Sequence, residues 1–343
     1  MQMKISVCIP TYNQAEYLSE AIISAFNQTI PPCEIIVSND CSTDNTVEVL
    51  QKLISEISLL KVINQTKNLG ISQNTDACLR AASGEFIVRL DSDDMLSPGY
   101  IEQLGALLLS NPNAAYAHAA VQEIDNNGKF LQQRLLARKP GFQSSNEALL
   151  AAKKGFRVAA NIIMFRKNAL EKVDFSTKRP SYVEDFHLSA ALAAAGFGNV
   201  YHNGILSFYR VWVDDNKVRQ RRKLLEIVGV YRVFEEVLEP AYKARGWDLV
   251  QLYKQRAAFA KELADCLGWS VYTIDEKKEI VRELSKLSSS KKSKLIAYFY
   301  LKGFGSLMNI CFGIPKVGKS IFKKIYNIPV IYNIINHRKP QAV

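Results

Sequence analysis

The stretch Phe86-Ile-Val-Arg-Leu-Asp-Ser-Asp-Asp94 decides the reading of this chain: an apolar run of one-strand length that ends in three carboxylates within four residues. Carboxylates this close repel one another and lose hydration at a strand end, so a divalent cation is the economical compensation. Mg²⁺ or Mn²⁺ takes one or two protein carboxylates and completes its shell with phosphate oxygens, which points to a diphosphate ligand. An acidic turn capping the next helix is the simpler alternative. Its neighbours in the sequence decide between the two.

Upstream, a strand-then-helix unit recurs. Ile5-Ser-Val-Cys-Ile9 is an apolar run closed by Pro10, and a helical pattern follows from Ala15 to about Asn27 with Leu18, Ile22 and Phe26 on one face. Glu34-Ile-Ile-Val37 ends in the turn-prone Ser38-Asn-Asp-Cys-Ser-Thr-Asp44, ahead of a helix carrying Val47, Leu50, Leu53 and Ile54. Lys61-Val-Ile63 is a third strand and Asn68-Leu-Gly70 a turn, with Ser72 as N-cap of a helix to Ala82. Together with Phe86–Leu90 this predicts an α/β fold: a doubly wound, mostly parallel sheet flanked by helices, with ligands at the carboxyl ends of the strands. Beyond Asp94 the alternation loosens to a helix near Tyr100–Leu109, a strand near Ala115–Ala120 and a hairpin turn at Asp125-Asn-Asn-Gly128. After Asp214 the pattern is helical, over Val218–Leu238, about Asp248–Leu267 and Glu276–Leu287, and Ser288–Lys294 reads as a polar, basic linker.

The strand ends share an edge in such a sheet. Pro10-Thr-Tyr-Asn13 and Asn39-Asp-Cys-Ser-Thr-Asp44 then bring an aromatic ring, a hydroxyl and a carboxylate beside Asp91, with Tyr12 placed to stack on a base and Asp40 to accept a ring N–H. Taken singly, Tyr12 is a packing residue and Asp40 a turn former; their common edge favours the ligand.

The set Val7-Cys-Ile-Pro-Thr-Tyr-Asn13, Ser38-Asn-Asp-Cys-Ser-Thr-Asp44, Asn68-Leu-Gly70 and Leu90-Asp-Ser-Asp-Asp94, in this order and spacing, resembles the inverting family 2 glycosyltransferases of GT-A fold, of the kind that build bacterial surface polysaccharides. The resemblance covers about residues 3–215. It implies a nucleotide-sugar donor, a UDP-sugar, held by Pro10, Thr11, Tyr12, Asp40, Asn68, Gly70, Asp91 and Ser92, with Asp93 on Mn²⁺ or Mg²⁺. The family's first acidic residue of the second motif is Asn39 here. An acceptor hydroxyl also needs a general base, and Tyr182-Val-Glu-Asp-Phe-His-Leu188 resembles the family's acidic pair at the acceptor site, with Asp185 as base and Glu184 as its fallback. Where the family often has a metal-touching histidine after a Tyr-Arg pair, Phe208-Tyr-Arg-Val-Trp212 places Trp212. His202 is a substitute, and Arg210 faces either the diphosphate or a surface acid.

The expected division is a nucleotide-sugar-binding half over 1–105, an acceptor-binding half over 106–215, a helical extension over 216–287 and a basic, aromatic tail over 288–343. The net charge of +11 is uneven: residues 1–215 carry 19 Lys and Arg against 22 Asp and Glu, and residues 216–343 carry 25 against 11. From Leu284 onward there are 11 basic residues and no carboxylate. Such a block favours an anionic membrane surface, and the balanced catalytic half excludes nucleic acid. Leu295–Ile314 is 20 residues long with Lys302 as its one charge, but three glycines and Asn309 favour a segment lying in the interface over one that spans it; a helix packed on the catalytic part is the alternative. The six scattered cysteines and four histidines offer no zinc pattern. With no signal-peptide run at the amino terminus, the expected location is the cytoplasmic face of the cell membrane.

The leading expectation is transfer of a sugar to a hydroxyl of a glycan acceptor, lipid-linked, with an oligomer permitted by the apolar helices after Val218. Two others stand beside it. An aspartate-nucleophile phosphatase shares the Asp-x-Asp element but opens its domain with it, and an inactive, sugar-binding scaffold is favoured by Asn39 and Trp212.

Overall fold

The computed structural model describes residues 3–155, 158–175, 180, 182–212 and 217–304. Its first part alternates as the sequence predicts: β1 (Ile5–Thr11), α1 (Ala15–Phe26), β2 (Glu34–Asn39), α2 (Thr46–Glu56), β3 (Leu60–Asn64), α3 (Ile71–Ala81) and β4 (Phe86–Arg89). Every residue of β1, β2 and β4 is buried, because each strand faces apolar side chains on both sides. Ile5, Val7, Ile9, Ile35, Val37, Phe86 and Val88 pack on α1 and α2 through Leu18, Ile22, Leu50 and Leu53. The alternate residues Cys8, Ile36 and Ile87 pack on Cys78 and Leu79 of α3. A continuous apolar run is what a strand covered by helices on both faces requires.

The chain continues through β5 (Met95–Leu96), α4 (Tyr100–Ser110), β6 (Ala114–Ile124), β7 (Phe130–Arg134), β8 (Gly141–Gln143), α5 (Ser145–Ala152), β9 (Ile163–Arg166), α6 (Lys167–Lys172), α7 (Glu184–Ala194) and β10 (Gly198–Arg210). The sheet order is β3-β2-β1-β4-β9-β6-β10-β5, with β7 on β6 and β8 on β10. β1 to β4 form a parallel block and β6 runs parallel to β10, while β9 enters antiparallel between β4 and β6. The sheet is therefore mixed, and its parallel carboxyl ends at Thr11, Asn39 and Arg89 stand together. The hairpin turn forms where Asp125 Oδ1 accepts the amides of Asn127 and Lys129, and Gly128 takes φ 79°.

Three local expectations change. α3 starts at Ile71 after Gly70, whose φ of 80° is open to glycine, so Ser72 is inside the helix and bonds the Pro180 carbonyl instead. The long helix expected over Val218–Leu238 is α8 (Val218–Arg221), α9 (Lys223–Arg232) and a π-helical turn, Val233–Leu238, ahead of α10 (Glu239–Ala244). The linker expected over 288–294 holds a cap: Ser290 Oγ accepts the Ser293 amide, and Lys291 to Lys294 open α13 (Lys291–Leu301), which follows α11 (Val250–Leu263) and α12 (Ile274–Leu287).

The chain divides into two compact units, Met1–Val213 with Glu235–Ala241, and Asp214–Phe234 with Tyr242–Val343. The second unit is helical among its described residues, with Phe234 edge-on to Phe259 and Arg256 bonded to the carbonyls that end α12. Among the described residues no helix is long and apolar enough to cross a membrane. Of the segment expected to lie on the membrane, Leu295–Ile314, only residues up to 304 are described.

Candidate active site

The loops after β1, β2 and β3 are locked to one another. Asn13, at φ 52°, donates its amide to Ser42 Oγ at 3.0 Å and accepts the Thr43 amide on Oδ1 at 2.8 Å. Asp44 accepts the Ala15 amide on one oxygen, and the Thr46 amide and hydroxyl on the other. Asp40 is buried, with Oδ1 accepting the Leu69 amide at 2.7 Å and Oδ2 the Gly70 amide at 2.9 Å. Both oxygens of the expected base contact thus hold the Asn68–Gly70 loop, and Asn68 Nδ2 returns a bond to the Asp40 carbonyl. Asn39 serves the same frame, from Nδ2 to Asn64 and through Oδ1 from the Ser42 amide. Pro10 and Thr11 are buried at the end of β1, whereas Tyr12 is 47% exposed at the rim. The hydrogen-bonded frame leaves that ring accessible.

Sequence reasoning missed Asn74 on α3. Its side chain is buried, donates to the Ser38 carbonyl at 2.9 Å and accepts the Ser38 hydroxyl at 2.6 Å, so it stitches the helix to the end of β2.

The loop after β4 is different. Asp91 Oδ1 accepts Arg89 Nε at 3.2 Å, and Ser92 is buried between its acidic neighbours. Burial first, then the charge of Asp91, raises the proton affinity of Asp93, although the indole N–H of Trp212 works the other way by donating to Asp93 Oδ2 at 2.5 Å. Asp94 is pushed well above the carboxylate range by burial, then by Asp93 and Asp91. Its Oδ1 accepts the Arg210 amide at 2.8 Å. Arg210 itself is fully committed: Nε to the Asp93 carbonyl, Nη1 to the carbonyls of Asp125 and Asn126, and Nη2 to Glu20 at 2.8 Å. Of the two expected roles for Arg210, the structure realises the acid partner. His202 lies eight residues earlier on β10, with Nδ1 accepting the Gly204 amide. At about 3.3 Å per strand residue it is far from Asp93 and does not replace the missing histidine.

The acids expected at the acceptor side reach the same place. Val183, a β-branched residue at φ 67°, turns the chain into α7; such a backbone is strained and persists where the surroundings fix it. Glu184 and Asp185 then occupy the first turn of α7. Arg89 Nη1 is hydrogen-bonded to Asp185 Oδ1, and Arg89 Nη2 lies 3.8 Å from Glu184 Oε1. Burial, then the neighbouring Asp185 charge, pushes Glu184 up to about 8. Burial also raises Asp185, against the opposing pull of Arg89. The proton of this pair belongs on Glu184, because Asp185 has the direct guanidinium contact.

The donor set can be tested for a cation. Among the described residues no group of three or more His, Cys, Asp or Glu side chains is arranged to hold an ion by itself. An indole N–H donates and cannot ligate, so Trp212 leaves the expected ligand set at Asp93 alone, with one of its oxygens committed to the indole. Asp93 and Asp94, raised in proton affinity despite the nearby Arg210, suit a cation bound by one protein ligand and completed by diphosphate oxygens, a mode typical of Mg²⁺. The residues fit that site and not an all-protein cage.

With this geometry in place, the comparisons with known proteins are specific. Residues 6–173 match the sequence pattern of glycosyl transferase family 2. The chain is 29% identical over 212 residues to a chondroitin synthase of Pasteurella multocida, which covers 62% of this chain and 21% of that protein. It is 40% identical over 116 residues to the GalNAc(5)-diNAcBac-PP-undecaprenol beta-1,3-glucosyltransferase of Campylobacter jejuni, covering 34% of this chain and 36% of that one. The chain thus spans about a fifth of the length of the chondroitin synthase. Among solved structures, TarS 1-349 of Staphylococcus aureus superposes with a TM-score of 0.61 at 16% identity, over 89% of this chain and 88% of that one. The mannosyltransferase PcManGT of Pyrobaculum calidifontis, in complex with GDP-Man and Mn²⁺, does so with a TM-score of 0.54 at 15% identity, over 90% and 87%. Those structural likenesses establish the shared GT-A fold.

Proposed function

Residues 6–173 belong to glycosyl transferase family 2, and from that premise we propose that the chain moves a sugar from a UDP-sugar to a hydroxyl of a lipid-linked glycan in bacterial surface-polysaccharide synthesis, with inversion and a divalent cation. One observation carries the reading: Asp91, two residues before Asp93, and the pair Glu184 and Asp185 meet on the Arg89 guanidinium at one sheet edge. A uridine donor is supported by TarS, which has also been solved in complex with UDP-GlcNAc. The lipid-linked acceptor is supported by the undecaprenol-linked substrate named for the Campylobacter relative and by the carboxylate-free, basic sequence after Leu284, which suits an anionic membrane surface at the inner face of the cell membrane.

In this reading Tyr12 stacks on the base. Pro10 and Thr11 form the floor beneath it, and Asp40, through Asn68 and Gly70, shapes the wall of the pocket. Asp91 and Ser92 face the ribose, and Asp93 would hold Mn²⁺ or Mg²⁺, which would supply positive charge for the diphosphate. Asp185 takes the proton of the acceptor hydroxyl as its oxygen attacks the anomeric carbon and the nucleotide leaves from the opposite face. A single carboxylate acting on the acceptor, without a second nucleophile, is the arrangement that inversion needs.

A panel of UDP-, dTDP- and GDP-sugars tests the reading by thermal stabilisation with and without Mn²⁺, since a ligand that binds the folded state stabilises it by RT ln(1 + [L]/Kd). The expected result is metal-dependent stabilisation by a UDP-sugar that disappears in Asp93→Ala. Absence of stabilisation by every nucleotide sugar overturns the proposal.

A further inference from the structure

We propose that Arg89 is a positioning residue that ties the candidate base Asp185 to the donor-side Asp91, so that base and donor pocket are placed as one unit. The inference rests on the roles proposed above for Asp91 and Asp185. Arg89 is the last residue of β4 and pairs with Cys8 of β1 on one side and Ile163 of β9 on the other, which fixes its backbone in the middle of the sheet. Its side chain is 3% exposed. From that anchor Nε reaches Asp91 Oδ1 at 3.2 Å, Nη1 bonds Asp185 Oδ1, and Nη2 stands 3.8 Å from Glu184 Oε1. One planar fork therefore spans two motifs separated by 96 residues.

The chemistry needs an arginine. A guanidinium presents donors in several fixed directions, whereas an ammonium is a single point charge that satisfies one carboxylate at a time. Among the described residues the charged groups that face Asp185 are Arg89, Asp91 and Glu184; His187, two residues on along α7, turns to Glu236 instead. Among the described residues three acidic side chains thus share one cation. Without it their mutual repulsion would drive a proton onto Asp185 and swing it away from Asp91, and a protonated carboxyl cannot serve as base. Binding of the nucleotide depends on that bridge only through the ribose contact of Asp91, because the loops around the base are held by Asp40, Asp44, Asn13 and Asn74.

The test uses the full chain and the donor that the panel singles out, with Mn²⁺, following UDP release with water as acceptor across pH. The proteins are wild type, Arg89→Lys, Arg89→Met and Asp185→Asn, each also titrated with UDP. Arg89→Lys is expected to lower kcat about tenfold and Arg89→Met about 100-fold, the scale of a misplaced catalytic group. UDP affinity and donor KM should stay within about threefold, and the acid limb of the pH profile should move to higher pH in both variants, less in Arg89→Lys. A scaffolding role predicts otherwise: melting temperature, UDP affinity and kcat fall together while the folded fraction keeps the wild-type pH profile, and that result overturns the proposal. So does an unshifted acid limb in Arg89→Lys, even where Arg89→Met fails to fold. If wild type releases UDP and Asp185→Asn releases it as fast, the base assignment falls and this inference with it, while the transferase reading stands. If wild type acts on no donor, both fall.

Discussion

The two edges of the parallel sheet treat buried acids in opposite ways. At the amino-terminal edge Glu34 opens β2 and is buried, yet it accepts the Ser6 hydroxyl at 2.6 Å, the Ser83 amide and hydroxyl at 2.7 Å each, and Lys61 Nζ at 2.6 Å. Burial works against its charge, but these four donors hold it at about 2. The backbone closes on the same spot, where a Cβ on Gly84 would come within 2.7 Å of the Ser6 amide. At the carboxyl edge Asp93, Asp94, Glu184 and Asp185 are all raised, and among the described residues Arg89 is the cation that bridges Asp91 to the pair on α7. An acid whose donors are all supplied by the chain is structural. A surplus of acids waits for charge from outside, which is the property of a site.

The largest test of that contrast exchanges a charge at each edge. Asp185→Asn keeps shape but removes the proposed base, and turnover should fall about 1,000-fold, within the range for general-base catalysis, with UDP affinity retained. Glu34→Ala should do the reverse. It leaves the Ser6 hydroxyl and the Ser83 amide without their acceptor and should cost about 3 kcal/mol of stability, read from urea unfolding, with turnover of the folded protein intact. If Glu34→Ala lowers kcat with the fold intact, or Asp185→Asn lowers only stability, the edges are not different in kind.

The next effect is in pH, and its sign differs between the edges. Glu34 is lowered from 4.5 to about 2, so its contribution to stability is complete above 4.5 and is lost as pH falls toward 2. Glu184 is raised from 4.5 to about 8, so stability is lost as pH rises from 4.5 through 8. Between about pH 6 and pH 9 the wild type should therefore lose several degrees of Tm that Glu184→Gln keeps, whereas Glu34→Gln should flatten the acid side alone. Equal alkaline slopes in wild type and Glu184→Gln would remove Glu184 as the proton holder of the pair.

The part of this that was legible in sequence is the part encoded locally. Apolar runs gave β1 to β4, and the loops Pro10–Asn13, Ser38–Asp44, Asn68–Gly70 and Asp91–Asp94 stand at one edge as expected. The insertion of β9 between β4 and β6 was not legible, because strand order is set by packing and Ile163–Arg166 is four residues long. Nor was β10 recognised, since its register slips between His202 and Ile205 and again before Ser207, which breaks the alternation. Within the site, a motif names Asp40 but not its partners in the chain, and its oxygens accept the amides of Leu69 and Gly70. The bonds of Arg89 to Asp185 and of Trp212 to Asp93 cross 96 and 119 residues. No local pattern carries contacts of that span.

The smallest effect sharpens the carboxyl edge from within, at Trp212. Its indole donates to Asp93 Oδ2 at 2.5 Å and packs edge-on to Tyr17 at 5.1 Å, and the Tyr17 ring lies beneath the Arg210 guanidinium at 4.3 Å. That stack fixes the indole, and the indole fixes the carboxylate. Trp212→Phe retains a ring for Tyr17 but removes the donor. Asp93 then loses an orienting bond and one of the influences that keep its proton affinity down. Partners that orient a metal ligand from outside its shell commonly contribute tenfold or more to affinity, but in the proposed site the diphosphate would carry most of the cation's contacts. The expected loss is thus about fivefold in the Mn²⁺ concentration that half-saturates UDP binding, near 1 kcal/mol. Protons compete with the cation for the same oxygens, so the loss should be larger near pH 6 than near pH 8. A loss that does not vary with pH would leave orientation as the indole's whole contribution. An unchanged Mn²⁺ titration at both pH values would mean that Asp93 is placed by its own loop, and that the Trp212 bond belongs with the satisfied, structural contacts of the opposite edge.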